Sequence, residues 1–143
     1  MVLDRLVILN WLKVKKTVLI IDDSLPIRYL LEVMLNRTYN VVSACDGLAA
    51  MAWLKNGNIP DLVITDLQMP NINGWELIEF MTESNLYQHI PLMVLSGVHD
   101  TKESFANIRP GNIKTIIKKP FDPVILLDTI DHVLKAQHVP AFS

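Results

Sequence analysis

The stretch Asp61-Leu62-Val63-Ile64-Thr65-Asp66-Leu67-Gln68-Met69-Pro70 decides how the rest of the chain is read. Leu62 to Thr65 is a short apolar run with β-branched residues, long enough for a buried strand and too short for a buried helix. A carboxylate stands where the run stops, and Pro70 forbids continuation into regular structure. Asp66 is thereby placed at the C-terminal edge of a strand, where open α/β sheets bind their ligands. Taken alone, the stretch reads equally well as a strand ended by a turn-forming Asp. The rest of the chain decides between the two.

Outward from this run, apolar and polar segments alternate. Before it, Thr17 to Ile21 is a continuous apolar run followed at once by Asp22-Asp23-Ser24. A helix is expected from Leu25-Pro26, with Ser24 as N-cap and Pro26 tolerated in the first turn. Its inward stripe is Ile27, Leu30, Leu31 and Met34, with Arg28 and Glu32 outward. Asn40 to Ala44 is a weaker strand, and Asp46-Gly47 opens a helix to about Lys55. After Pro70, a helix is expected over Trp75 to Glu83, a strand over Leu92 to Leu95 ending in Ser96-Gly97, and a polar helix over Thr101 to Ile108. Ile113 to Ile117 reads as the fifth strand, ending in Lys118-Lys119-Pro120-Phe121, and Asp122-Pro123 caps the last helix.

Strands alternating with helices imply right-handed crossovers and a parallel sheet covered on both faces. The runs ending at Ile21, Thr65 and Leu95 are apolar throughout, as strands buried on both sides must be. Ser43 in one remaining run, and Lys114 and Thr115 in the other, mark edge strands. The expected order is therefore 2-1-3-4-5.

Composition bounds the function. At 143 residues, half hydrophobic and 20% charged, the chain is one packed domain over 17–137, with no room in it for a receptor or effector module. A net charge of −2 without a basic stripe gives no case for nucleic acid. No stretch approaches the ~18 apolar residues that would insert stably in a bilayer. The single Cys45 excludes an internal disulfide, fits a reducing compartment, and is read as a small buried residue. Trp53 and Trp75 are read as helix packing, and Asp131-His132 as a wet helix face. Residues 1–16 form an amphipathic extension with Leu3, Val7, Trp11 and Val14 at helical spacing and a basic end at Lys13, Lys15 and Lys16. Such an arm more often packs on its own domain or a partner chain than on a membrane surface. Residues 138–143 are a tail.

Four strand ends carry residues suited to phosphate or metal chemistry: Asp22-Asp23, Asp66, Ser96 and Lys119. A parallel sheet brings all four to one edge. Three carboxylates at ~5 Å, with an effective dielectric of ~20, repel by ~3 kcal/mol per pair. One lysine offsets only part of this; a hard divalent cation such as Mg²⁺ is the usual complement. It would also stabilise charge on a phosphoryl group moving to a carboxylate nucleophile.

With these pieces assembled, the chain from about Lys16 to Gln137 resembles the receiver domain of two-component response regulators. The resemblance rests on Asp22-Asp23, Asp66 with Met69-Pro70, Asn73-Gly74, Ser96-Gly97 and Lys119-Pro120-Phe121, each in order. It implies a flavodoxin-like doubly wound fold and a cytoplasmic single-domain signalling switch, not an enzyme, although one that assists its own phosphorylation and dephosphorylation. Asp66 would accept a phosphoryl group from a phosphohistidine on a sensor histidine kinase or histidine phosphotransfer protein. Asp23, Asp66 and the main-chain carbonyl of Gln68 would ligate Mg²⁺, with Asp22 acting largely through water. Lys119 would contact the phosphoryl oxygens and Ser96 would hydrogen-bond one of them, leaving Lys118 a solvated residue. Signalling would proceed by binding a downstream protein or by phosphorelay, with homodimer formation through the fourth helix, fifth strand and fifth helix (Phe105 and Ile108 contributing) or through the N-terminal arm.

One position departs from the family pattern. Receivers commonly carry an aromatic residue three before the site lysine; here it is Ile116. An aliphatic side chain cannot expose and bury a ring, so weak switching is expected; a large phosphorylation-dependent change in amide exchange at the fourth helix and fifth strand would contradict it. The resemblance also places Gln68 and Val98 where the family tunes dephosphorylation, flanking the path of attacking water; the apolar Val98 offers that water no hydrogen bond, so slow loss of phosphate is expected. A receiver-like scaffold that binds without being phosphorylated is the alternative. A phosphatase with an aspartyl nucleophile would need a second Asp where Gln68 stands, and no glycine-rich loop follows the first strand to hold a nucleotide.

Overall fold

Strand register sorts the core into two layers. The computed structural model describes residues 15–100 and 111–136. In chain order these form β1 (Thr17–Ile21), α1 (Leu25–Leu35), β2 (Asn40–Ala44), α2 (Gly47–Lys55), β3 (Leu62–Asp66), α3 (Gly74–Glu83), β4 (Leu92–Ser96), β5 (Ile113–Lys118) and α4 (Pro123–Ala136). All neighbouring strands pair in parallel, and the sheet order is β2-β1-β3-β4-β5. Val18 pairs with Leu62 and Leu19 with Val63, so alternate residues of adjacent strands share a face. Leu19, Ile21, Val63 and Val94 pack with Ala50, Leu54, Leu77 and Met81 of α2 and α3. Val18, Ile20, Leu62, Ile64 and Met93 pack with Leu31, Leu35, Leu126, Ile130 and Leu134 of α1 and α4. The α/β architecture and strand order agree with the sequence reading. Composition carried the edge assignment: β3 and β4 are buried throughout, whereas β5 alternates half-buried and exposed residues and β2 has exposed positions.

Helix starts follow local chemistry. Ser24 Oγ accepts from Ile27 N at the head of α1, and Asp46 from Ala49 N at the head of α2. Asn73 and Glu76 form a reciprocal capping box on α3, and Asp122 Oδ1 accepts from Val124 N at the entry to α4.

Four side-chain expectations need correction. Cys45 is exposed rather than buried, because it sits on the turn between β2 and the Asp46 cap. Leu30 is 39% exposed, because α1 rotates Leu31 and Leu35 onto the sheet instead. Arg28 does not simply face out: its Nη1 donates to the carbonyl oxygen of Asp22 at 2.6 Å. Asp131 is half-buried and accepts the phenol of Tyr39, so the wet face is left to His132, which is exposed. Burial, and then that carboxylate, push the Tyr39 phenol well above its ordinary range. Trp53 and Trp75 pack against the layer of α2 and α3, as expected.

The helix expected over Thr101–Ile108, with Phe105 and Ile108, lies outside the described residues, as do residues 1–14 of the N-terminal arm and the tail 138–143. Among the described residues no helix is long and apolar enough to cross a membrane.

Candidate functional site

The C-terminal ends of β1, β3, β4 and β5 converge on one crevice. β3 carries Asp66 as its last residue, 6% exposed, and β4 carries Ser96 as its last, 2% exposed. Asp22 follows β1 directly and is fully buried, while Asp23 beside it is exposed. One carboxylate oxygen from each of Asp22, Asp23 and Asp66 lies within 4.8 Å of the others. Residues separated by dozens of positions therefore meet as the sheet order requires.

Each acid has a different set of partners. Asp22 Oδ1 accepts from Ser24 N at 2.8 Å and its Oδ2 from Lys119 Nζ at 2.9 Å. Asp66 Oδ1 accepts from Leu67 N at 2.7 Å, and its Oδ2 lies 3.3 Å from the same ammonium. Lys119 thus bridges the two buried carboxylates, delivered there by β5 and by a main-chain bond from its own N–H to the Ser96 carbonyl at 2.8 Å. Lys118, one residue earlier, is exposed.

The electrostatics follow from burial. Desolvation raises the Asp66 pKa first, the Asp22 charge adds to it, and Lys119 only partly offsets them. Burial alone would lower the Lys119 pKa, but hydrogen bonding and attraction to Asp22 and Asp66 outweigh it and raise the net value. Lys119 faces three carboxylates, and the nearby Arg28 guanidinium is engaged on the main-chain carbonyl oxygen of Asp22 rather than on a carboxylate, so acid is in excess at the crevice, as a divalent cation would require. An all-oxygen set of hard donors suits Mg²⁺ rather than a softer metal.

Two contacts behind the site set its backbone. A Cβ on Gly74 would stand 2.1 Å from the Asp66 carbonyl oxygen and 2.8 Å from Leu67 Cα, so α3 can start against this strand end only with glycine there. Gly74 N also donates to Leu67 O at 2.9 Å. Asn71, at a φ of 65°, donates from Nδ2 to Asp46 Oδ2 at 2.8 Å, tying the loop after β3 to the start of α2.

Ser96 and Gln68 occupy the other side of the crevice. Ser96 Oγ lies 3.4 Å from both the Gly97 carbonyl oxygen and Asp100 Oδ2. The Gln68 side chain is exposed and donates to Asp100 Oδ1 at 3.0 Å. Ile116 is 44% exposed on β5, and Val98 is 82% exposed in the loop after β4. Nothing in the sequence singles out Asp100. A carboxylate four residues past a strand end meets that strand's hydroxyl only if the loop turns back, and no residue pattern in Gly97-Val98-His99-Asp100 announces the turn.

Comparison with known proteins gives one answer. Residues 18–131 match the family model described as response regulator receiver domain. A probable transcriptional regulator, ycf27, of Guillardia theta is 32% identical over 133 residues, covering 92% of this chain and 50% of its own. A histidine kinase of Formosa agariphila is 33% identical over 110 residues, covering 77% of this chain and 8% of its own. The chain therefore spans about half, or less, of the length of these curated relatives. Among solved structures, the signal receiver domain of a signal transduction histidine kinase from Syntrophus aciditrophicus superposes with a TM-score of 0.77 at 24% identity, covering 90% of this chain and 97% of that one. A chemotaxis protein of Vibrio cholerae does so with a TM-score of 0.73 at 27% identity, covering 84% of this chain and 99% of that one. With a match across most of its length and the strand-end acids and lysine in one crevice, this chain belongs to the response regulator receiver domain family.

Proposed function

We propose that this receiver takes a phosphoryl group onto Asp66 from a phosphohistidine donor, and that Asp22, Asp23 and Asp66 hold Mg²⁺ while it does so. The observation that carries the reading is the convergence of three carboxylates within 4.8 Å, with Lys119 bridging Asp22 and Asp66. A carboxylate oxygen of Asp66 attacks phosphorus, the P–N bond breaks, and its electron pair leaves with the donor imidazole. Lys119 stands where an ammonium can follow the charge from the carboxylates onto the phosphoryl oxygens. Ser96, at the adjacent strand end, supplies a hydroxyl for one of those oxygens.

Within the acid trio the roles divide by availability. Both Asp22 oxygens already accept hydrogen bonds, which supports an indirect role for it. Asp23 is exposed, and together with Asp66 and the Gln68 main-chain carbonyl it would ligate the metal directly. When bound, Mg²⁺ supplies the positive charge that Lys119 alone does not. Relatives named as histidine kinases support a kinase or phosphotransfer protein as donor. Output would follow by binding a downstream protein or by passing the phosphoryl group onward.

Incubation with acetyl phosphate and Mg²⁺, read by intact mass, tests the reading. One added phosphoryl group is expected in the wild type, and none in Asp66→Asn or in excess EDTA. Equal phosphorylation of the variant would refute it.

A further inference from the structure

Asp100 spans the mouth of the crevice. Its Oδ2 accepts from Gly97 N at 2.7 Å and lies 3.4 Å from Ser96 Oγ, while its Oδ1 accepts from the Gln68 amide at 3.0 Å. One carboxylate thus joins the loop after β4 to the loop after β3. The lengths rank the contacts. The bonds to Gly97 and Gln68 are firm charge-assisted ones, whereas the hydroxyl at 3.4 Å is held weakly and released cheaply.

We propose that Asp100 is a positioning residue that biases this site toward its unphosphorylated arrangement, holding Ser96 and Gln68 on one carboxylate that must let go before either can turn to a phosphoryl group on Asp66. The inference rests on the proposed function. A phosphoryl group on Asp66 places added negative charge in the same crevice as the Asp100 carboxylate, and the Ser96 hydroxyl proton cannot serve both. The two anions therefore compete for one donor, and repulsion between them favours withdrawal of Asp100. A contact made in only one of two arrangements shifts the balance by the free energy of that contact. The Gln68 amide is released in the same movement, so both sides of the mouth open together.

Titration of the full chain with beryllium trifluoride in saturating Mg²⁺, followed by amide chemical shifts, measures the bias without a covalent step. Asp100→Asn keeps an acceptor for Gly97 N–H but loses the charge and the second acceptor, and is expected to bind the phosphoryl analogue up to about tenfold more tightly than wild type, most of it from the charge-assisted bond to Gln68 and a smaller part from the Ser96 hydroxyl. Asp100→Ala should gain similarly. In a Ser96→Ala background the gain from Asp100→Asn should shrink, since the hydroxyl to be freed is absent. Wild-type affinity in Asp100→Asn would overturn the proposal, as would an equal gain in both backgrounds, which would make Asp100 a remote charge only. If the wild type shows no Asp66-dependent binding, the phosphoacceptor reading fails and the latch fails with it. Asp66-dependent binding that is unchanged by Asp100→Asn removes the latch alone.

Discussion

The two halves of the crevice are built differently. On one side, Asp22 and Asp66 are buried at the ends of central strands and share one ammonium at 2.9 and 3.3 Å. On the other, Ser96 ends an equally buried strand, but its hydroxyl is held at 3.4 Å by a loop whose Val98 is 82% exposed. The first half resembles a core with charges in it: its side chains cannot leave without unpairing buried acids. The second half is tied by contacts to an exposed loop that a new ligand can replace. Charge placement thus belongs to the sheet, and the contacts most easily exchanged belong to the loops.

The largest test of this contrast targets backbone, not charge. Gly74→Ala would drive a methyl group to 2.1 Å from the Asp66 carbonyl oxygen, a clash that no side-chain rotation relieves. It should cost about 3 kcal/mol of stability, read as a lower urea midpoint, and impair uptake of phosphate with every charged residue intact. A variant with wild-type stability and uptake would show that the strand end is softer than argued.

A smaller effect of opposite sign is expected from Asp66→Asn. The folded pKa of Asp66 is raised, by burial first and Asp22 second. Such a group contributes stability below the unfolded carboxylate range, and that contribution is lost as pH rises through the folded pKa. Above that folded pKa, in EDTA, the ionised side chain is therefore a cost. The variant should melt higher than wild type at such pH, with the gap closing as the pH falls below the unfolded carboxylate range. A lower melting temperature for the variant at such pH would mean that Lys119 more than offsets the burial.

The smallest effect lies on the loop side. With an exposed valine at 98 offering no hydrogen bond to attacking water, the phosphorylated protein should lose its group slowly, and Val98→Gln should shorten its lifetime. Decay of the wild type within seconds, followed by intact mass, would contradict this.

How far the sequence reaches follows the same division. β3 and β4 were legible because a strand buried on both faces must be apolar throughout, and a parallel sheet then leaves one edge for Asp22, Asp66, Ser96 and Lys119. The caps at Ser24, Asp46 and Asp122 were legible because the bonding is local. Arg28 and Asp100 were not. Arg28 reaches back past its own N-cap to the Asp22 carbonyl, and Asp100 reaches across to Gln68 on another strand end. Both depend on where a flexible side chain or loop travels, which no periodicity records. Cys45 departs from the sequence reading for a related reason: a small thiol is commonly buried, yet its exposure here is set by the turn into α2.

The central claim is that Asp22, Asp23 and Asp66 form one cation site at the end of the sheet. A Mg²⁺ titration of the amide spectrum tests it most directly. Saturable shifts centred on Asp22, Asp23 and Asp66 to Gln68 are expected, weakened in Asp23→Asn. Shifts that never saturate, or that survive unchanged in that variant, would contradict it.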